Sequence, residues 1–357
     1  MITLVESEDN LRARIKVIGV GGGGGNAVNR MIQSDIKGVE FISANTDAQA
    51  LRQSLATYRI QLGENCTKGL GAGGNPEVGR AAAEESKEMI KKAIAGADMV
   101  FVTVGMGGGT GTGASPVFAA AAKEAGILTV VIATKPFTWE GHVRASQAEE
   151  GLKNVEGHAD TIIAIPNQNL LSRIDEHTLM EDAYKIVDDV LRQGVQAITD
   201  IITSKSLIQV DFADIRAIMK DAGRALMGIG EGRGPNRTID AIRQAKSSPL
   251  LEDISIEGAR GLLVNFTGNP ENLTMFEVSN AMELVYKEIS PKAHVYFGQT
   301  YDEKLEDRVR VTVVATNFEK VPRRPERSEE EDYYYSKGGA FESSNIDIPP
   351  ALRKKGF

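Results

Sequence analysis

A single cysteine, Cys66, in a chain of 357 residues excludes an intramolecular disulfide and any cysteine-built metal cluster, and such scarcity fits a reducing compartment. Histidine is nearly as rare. His142, His158, His177 and His294 are scattered, with no HExxH or other ligand spacing, so no zinc site or other protein-held metal is expected. Basic residues are outnumbered: 41 Lys and Arg stand against 49 Asp and Glu, a net charge of -8, which argues against a general electrostatic grip on nucleic acid. No apolar run approaches the roughly 18 residues of a membrane span, and the opening MITLVESEDN lacks a basic region followed by an apolar one. The expectation is a soluble, cytoplasmic protein without direct membrane insertion, one that meets anionic ligands locally. No Gly-Lys-Ser/Thr triplet occurs either, which removes the P-loop from consideration.

Glycine is what the sequence has in excess, at 37 residues. Two clusters hold the informative ones. GVGGGGGNAV, Gly19 to Val28, follows a strand pattern and opens a helix pattern. Glycines there let the backbone approach a ligand, and the free N–H groups of a helix start attract phosphate. Gly19, Gly21 and Gly24 satisfy GxGxxG, and Asp47 ends the next strand where a dinucleotide fold holds ribose, so this cluster alone fits NAD as well as another nucleotide. A bare tight turn is the plainer alternative. MGGGTGTGASP, Met106 to Pro116, repeats the strand-loop-helix context. A dinucleotide enzyme needs no second loop of this density, whereas a mononucleotide triphosphate can use one to surround its outer phosphates.

Around these loops, β-rich runs alternate with helical patterns. Strands are expected at Arg14 to Val20, Val39 to Asn45, Met99 to Val104, Leu128 to Thr134 and Thr161 to Pro166, with helices at Asn26 to Gln33, Pro76 to Ala95 and Pro116 to Ala125. Nearly continuous apolar strands such as MVFVTV imply burial on both faces, hence a doubly wound, largely parallel α/β nucleotide-binding domain over residues 13–177. Leu179 to Ile202 carries apolar side chains in steps of three and four, a helix of about 36 Å connecting two domains over 178–203. Residues 204–317 read as a second, α+β domain. Its helices are expected at Asp214 to Met227, Thr238 to Lys246 and Met275 to Ile289, and its strands at Ala259 to Thr267, His294 to Gly298 and Arg308 to Thr316. Residues 1–12 read as a loose arm. VPRRPERSEEEDYYYSKGG is too polar to offset ordering entropy, so 318–341 is expected as a disordered linker before an apolar-plus-basic peptide at 342–357.

GGGTGTG, Gly107 to Gly113, resembles the signature of the tubulin/FtsZ superfamily, and the surrounding text is similar to its FtsZ family. The matching segments include NTDAQAL from Asn45, GLGAGGNPEVGR from Gly69, TKPFTWEG from Thr134, VDFADIRAIM from Val210 and SSPLLEDISIEGARGLLVNFTG from Ser247. The resemblance implies a GTPase that polymerises head to tail into protofilaments, binds GTP and GDP with Mg²⁺ held mainly through the phosphates, and forms the cytokinetic ring at the division site. It further implies that Gly21, Gly22, Asn45, Asp47, Ala72, Gly73, Gly74 and Gly107, Gly108, Gly109, Thr110, Gly111, Thr112 and Gly113 line phosphates and ribose, the two threonines adding hydroxyl donors. Glu140 and Arg144 match positions near ribose and phosphate; Asn26, Asn167 and Asp188 match guanine-side contacts, and Tyr184 the ring that stacks on the base. A carboxylate such as Asp188 can accept from both guanine N1–H and N2–H, a pairing adenine does not offer. Read by type alone, Asp188 would be a solvated helix residue, Tyr184 packing and Asn167 a turn cap; Trp139 receives no role.

QVDFADIR, Gln209 to Arg216, carries Asp211 and Asp214, whose spacing fits a helix cap with a second carboxylate near the positive end of the dipole. The resemblance gives the segment another part: the catalytic loop, inserted in trans into the next subunit's pocket. The family usually has Asn where this chain has Gln209, which adds a methylene to the reach of the amide. IDIPPALRKK looks like the family's C-terminal peptide, implying that Ile346 to Phe357 meets membrane adaptors of the FtsA or ZipA type. A guanine-nucleotide-binding polymer with negligible hydrolysis stands as the alternative function, and an NAD-dependent oxidoreductase as a remote one.

Overall fold

The computed structural model describes residues 13–173, 177–203, 206–208, 210–248 and 258–318. The expected arm, Gln209, the linker and the C-terminal peptide therefore lie outside the described residues. In chain order the first half runs β1 (Ile15–Val20), α1 (Gly21–Gln33), β2 (Val39–Asn45), α2 (Ala48–Arg52), β3 (Tyr58–Gln61), α3 (Glu64–Thr67), α4 (Pro76–Glu85), α5 (Lys87–Ile94), β4 (Met99–Gly105), α6 (Gly109–Glu124), β5 (Leu128–Lys135), α7 (His142–Glu156) and β6 (Thr161–Pro166). The long α8 (Met180–Thr203) leads to β7 (Ser206–Ile208), α9 (Phe212–Met219), β8 (Gly223–Arg233), α10 (Arg237–Lys246), β9 (Gly261–Gly268), α11 (Met275–Tyr286), β10 (His294–Tyr301) and β11 (Arg308–Thr316).

These strands follow the order β3-β2-β1-β4-β5-β6-β8-β11-β9-β10-β7. From β3 to β8 every pairing is parallel, and β11 then enters antiparallel to both β8 and β9. The first six strands thus show the doubly wound order, with its direction reversing between β1 and β4. Ligands in such sheets bind in the crevice outside the strand carboxyl ends at that reversal. The apolar strands are covered on both sides: one core cluster sets Ile18, Val102 and Val131 against α4, α5 and α6, and another sets Val17, Phe101 and Ile132 against α1 and α8. That second cluster continues into Leu263 and Val314, so α8 is a core wall shared by both halves.

Several elements depart from expectation for identifiable reasons. The single helix at 76–95 is two helices, because buried Ser86 breaks it and turns its hydroxyl to the Gly63 N–H at 3.0 Å. The expected helix from Asp214 to Met227 ends at Met219, and Ala225 to Met227 belong to β8. Glycines hide that strand in the sequence, since they weaken strand propensity. They are needed because α10 lies directly on β8: a Cβ at Gly230 would sit 2.0 Å from the Ala241 carbonyl oxygen, and one at Gly232 1.9 Å from that of Arg237. β3 and α7 were not anticipated at all.

Candidate nucleotide cleft

The carboxyl ends of β1, β4, β5 and β6 open into a cleft of about 430 Å³. Two helices begin at its edge, α1 at Gly21 and α6 at Gly109, and neither has a side chain capping its first turn. Their first N–H groups are therefore donors not spent on a cap, in the part of the fold where the dipoles favour an anion. The two loops interlock closely. Gly21 has φ +73°, and a Cβ on it would stand 2.8 Å from the Gly111 nitrogen. At Gly22 and Gly108, by contrast, an added Cβ would meet nothing within 4 Å. The turn after β2 also meets the second glycine loop through side chains, Thr46 Oγ1 lying 2.7 Å from Thr110 Oγ1.

Gly22, Asn26, Gly108, Gly109, Thr110, Gly111, Glu140, Arg144, Asn167, Tyr184 and Asp188 all line this cleft. Gly21 and Gly107 stand behind it as backbone supports. Ala72, Gly73 and Gly74 belong to the loop before α4, where the Ala72 methyl would lie 2.9 Å from a Cβ on Gly109. Asn45 accepts from the Asp47 N–H at 3.2 Å, and Asp47 itself caps α2 by accepting from the Gln49 N–H at 2.7 Å. Thr112 is buried and its Oγ1 accepts from the Gly107 N–H at 2.9 Å, a contact that holds the glycine loop in shape; the residue does not line the cleft. Gly113 likewise packs inward, against α4: a Cβ there would fall 1.9 Å from the Pro76 oxygen.

The far end of the cleft carries unspent polar groups. Asn167 is buried and its Oδ1 has no hydrogen-bond partner, a costly state for a buried acceptor unless a ligand supplies a donor. Asp188 accepts no hydrogen bond among the described residues, whereas its neighbour Asp189 is held by Arg192 and Gln193, each at 2.6 Å. Burial pushes the Asp188 carboxyl up to about 7, against the pull of Arg30 on α1 and with a further push from Asp189. Tyr184, on the same face of α8, has its hydroxyl raised by burial and then by the Glu140 charge, with Arg144 opposing. Glu140 is fixed twice, accepting from the Phe137 N–H at 2.9 Å and from Arg144. Sequence reasoning missed Phe137, Trp139 and Arg30 here. The TKPFTWEG segment was in view, but only the fold sets its aromatic residues beside Tyr184.

Asp211 and Asp214 are absent from the cleft. Asp211 caps α9, its Oδ1 accepting from the Asp214 N–H at 2.8 Å. The other end of α9 is tied to the amino ends of the strands: Arg216 donates to the Gly126 carbonyl at 3.2 Å, just before β5, and Thr161, the first residue of β6, donates to the Met219 carbonyl. Strands of six to eight residues separate that edge from the glycine loops by roughly 20 Å.

Two family models match the chain: "Tubulin/FtsZ family, GTPase domain" over residues 14–175 and "FtsZ family, C-terminal domain" over residues 223–319. The cell division protein FtsZ of Magnetospirillum gryphiswaldense is 53% identical over 309 residues, 87% of this chain but 55% of that relative, so the chain spans about half the length of this curated relative. Among solved structures, the FtsZ dimer of M. jannaschii superposes with TM-score 0.81 at 43% identity, covering 86% of this chain and 89% of that one. CetZ2 from Haloferax volcanii, described as a GTPγS-bound protofilament, shares the fold at TM-score 0.73 and 20% identity, over 91% and 97% of the two chains. With both halves matched by their own family models and the cleft lying at the glycine loops that the first of them covers, the chain belongs to the tubulin/FtsZ family of GTPases, in its FtsZ branch.

Proposed function

We propose that this chain is a GTP-dependent cytoskeletal GTPase whose subunits stack head to tail and hydrolyse GTP only where two of them meet. The observation that carries the reading is the separation just described: the cleft lies at the carboxyl edge of the parallel strands, while the helix bearing Asp211 and Asp214 is tied to the amino edge. One copy holds both halves of a reaction centre at opposite ends, and stacking copies in one direction brings the halves together.

Within the cleft, the first turns of α1 and α6 would donate to the phosphates, helped by the Thr110 hydroxyl. Asn26, Asn167 and Asp188 would receive the guanine edge and Tyr184 its face, with Glu140 and Arg144 at the ribose and phosphate. Asp211 and Asp214 of the next subunit would then orient a water and accept its proton for in-line attack. Mg²⁺, held through the nucleotide's own phosphates, would supply charge neutralisation there; among the described residues no group of three His, Cys, Asp or Glu is arranged to hold a metal. The fit to guanine rests on Asn167 Oδ1 and Asp188, acceptors with nothing to accept. Outside the described residues, the peptide Ile346 to Phe357 would bind a membrane-bound adaptor of the FtsA or ZipA type and bring filaments to the division site, its Ile346, Ile348 and Leu352 buried on the partner.

Phosphate release per molecule, measured across dilution, tests the divided centre. It rises steeply with concentration if the junction completes the site, and a flat rate would sink the idea. In the same assay Asp214→Ala lowers turnover by about 10² or more while GTP binding persists. Assembly without phosphate release in the unaltered protein would favour a non-hydrolysing polymer instead.

A further inference from the structure

Three aromatic rings meet at the mouth of the cleft. Phe137 and Trp139 stack with centroids 5.8 Å apart and planes 18° apart. The plane of Tyr184 is nearly perpendicular to both, 5.9 Å from Phe137 at 83° and 6.4 Å from Trp139 at 78°. Both orientations are favourable for aromatic quadrupoles. The three rings come from different places, Tyr184 from α8 and the other two from the turn after β5. That turn is pinned: the Thr138 N–H and Oγ1 both donate to Gln168 Oε1, at 3.1 and 2.7 Å, and the Phe137 N–H to Glu140 Oε1. Phe137 is 2% exposed and anchors the group, whereas Trp139 is 57% exposed and Tyr184, which lines the cleft, 36%.

An exposed tryptophan in this position is not needed for the core, which Phe137 already seals. What Trp139 does touch is the tyrosine. A phenol ring on a helix surface turns about two side-chain bonds; packed at near right angles to Phe137 and Trp139 together, its plane is set before a ligand arrives, which lowers the ordering cost of binding.

We propose that Trp139 is a positioning residue for base recognition, holding Tyr184 in the orientation in which its face meets the purine. The inference rests on the reading of Tyr184 as the base-stacking residue and goes beyond it by assigning the residue that sets its ring. Trp139 itself stays outside the cleft lining, so its assigned role runs through Tyr184.

The test is a double-mutant cycle on GDP affinity in the full chain, with inorganic triphosphate as a base-free probe. Trp139→Ala is expected to weaken GDP binding by about 3- to 10-fold. Trp139→Phe should restore most of the loss, and triphosphate binding should be unchanged in both. In Tyr184→Ala the tryptophan substitution should cost nothing further. Because Trp139 is the only tryptophan, its emission should also change when GDP binds to the unaltered protein and not when GDP binds to Tyr184→Ala. Full additivity of the two substitutions, or an equal loss for triphosphate, overturns the positioning role and leaves the base-stacking reading intact. Tyr184→Ala without effect on GDP overturns that reading and the inference with it.

Discussion

The two halves of the sheet treat their polar groups in opposite ways. Around β1 to β6, α1 and α6 start at the cleft without side-chain caps, and among the described residues Asn167 keeps a buried oxygen without a partner and Asp188 accepts no hydrogen bond. Around β8 to β11, although α10 too starts without a side-chain cap, the buried charge and the start of α11 are closed off. Arg237 is buried and donates to Glu277 at 2.7 Å, to Asn272 and to the Asp307 carbonyl. α11 starts with a reciprocal capping box between Thr274 and Glu277. The contrast sets polar groups left open toward the cleft beside polar groups that close on one another, which is what the proposed nucleotide site predicts.

Three experiments would break or sharpen that contrast. The largest effect is expected from Arg237→Ala, which leaves the Glu277 carboxylate and the Asn272 and Asp307 oxygens without their donor: about 3 to 5 kcal/mol of stability lost by denaturant titration, with GDP affinity unchanged once the protein is folded. A smaller loss, or a fall in GDP affinity, would mean that the halves are not so distinct. Next is pH. On the proposed role of Asp188 as the guanine acceptor, its carboxyl, pushed up to about 7 by burial, must be ionised to accept from the base, so GDP affinity should fall roughly tenfold per unit as pH drops below that value. Folding responds with the opposite sign. A carboxyl raised in the folded state opposes folding while charged, so the unliganded protein gains stability from this group as pH falls from about 7 toward about 4. Asp188→Asn should flatten both profiles, as read by isothermal titration and thermal unfolding. Smallest is Thr274→Ala, which opens the capping box for about 1 kcal/mol and leaves nucleotide binding untouched.

Five of the six strands of the first half, all but the short β3, and the long helix are legible from composition and period alone, because strands buried on both faces and a helix amphipathic over 24 residues leave strong patterns. The glycine loops were legible for a related reason: where backbone must pass close to backbone, only one residue type fits. β8 was not, because its glycines answer to a helix lying across it, and nothing local to the strand reports that helix. α7 buries only Ala148, Gly151, Leu152 and Val155, too thin a stripe to stand out. In the cleft, residue type alone suggests a turn cap at Asn167 and a solvated helix face at Asp188, and only the motif resemblance marks them as site residues; a threonine in a glycine loop likewise gives no sign of which way its hydroxyl turns, and Thr112 turns its Oγ1 to the Gly107 N–H. The aromatic trio depends on two segments some forty-five residues apart, a distance that spacing arguments do not bridge.

One detail of the sheet has a mechanical consequence. The ladder joining the halves, β6 to β8, has only three residue pairs, Thr161 with Gly223, Ile162 with Arg224 and Ile163 with Ala225, whereas β8 and β11 share eight. In a chain loaded end to end, tension would cross that short seam and the rod of α8 beside it.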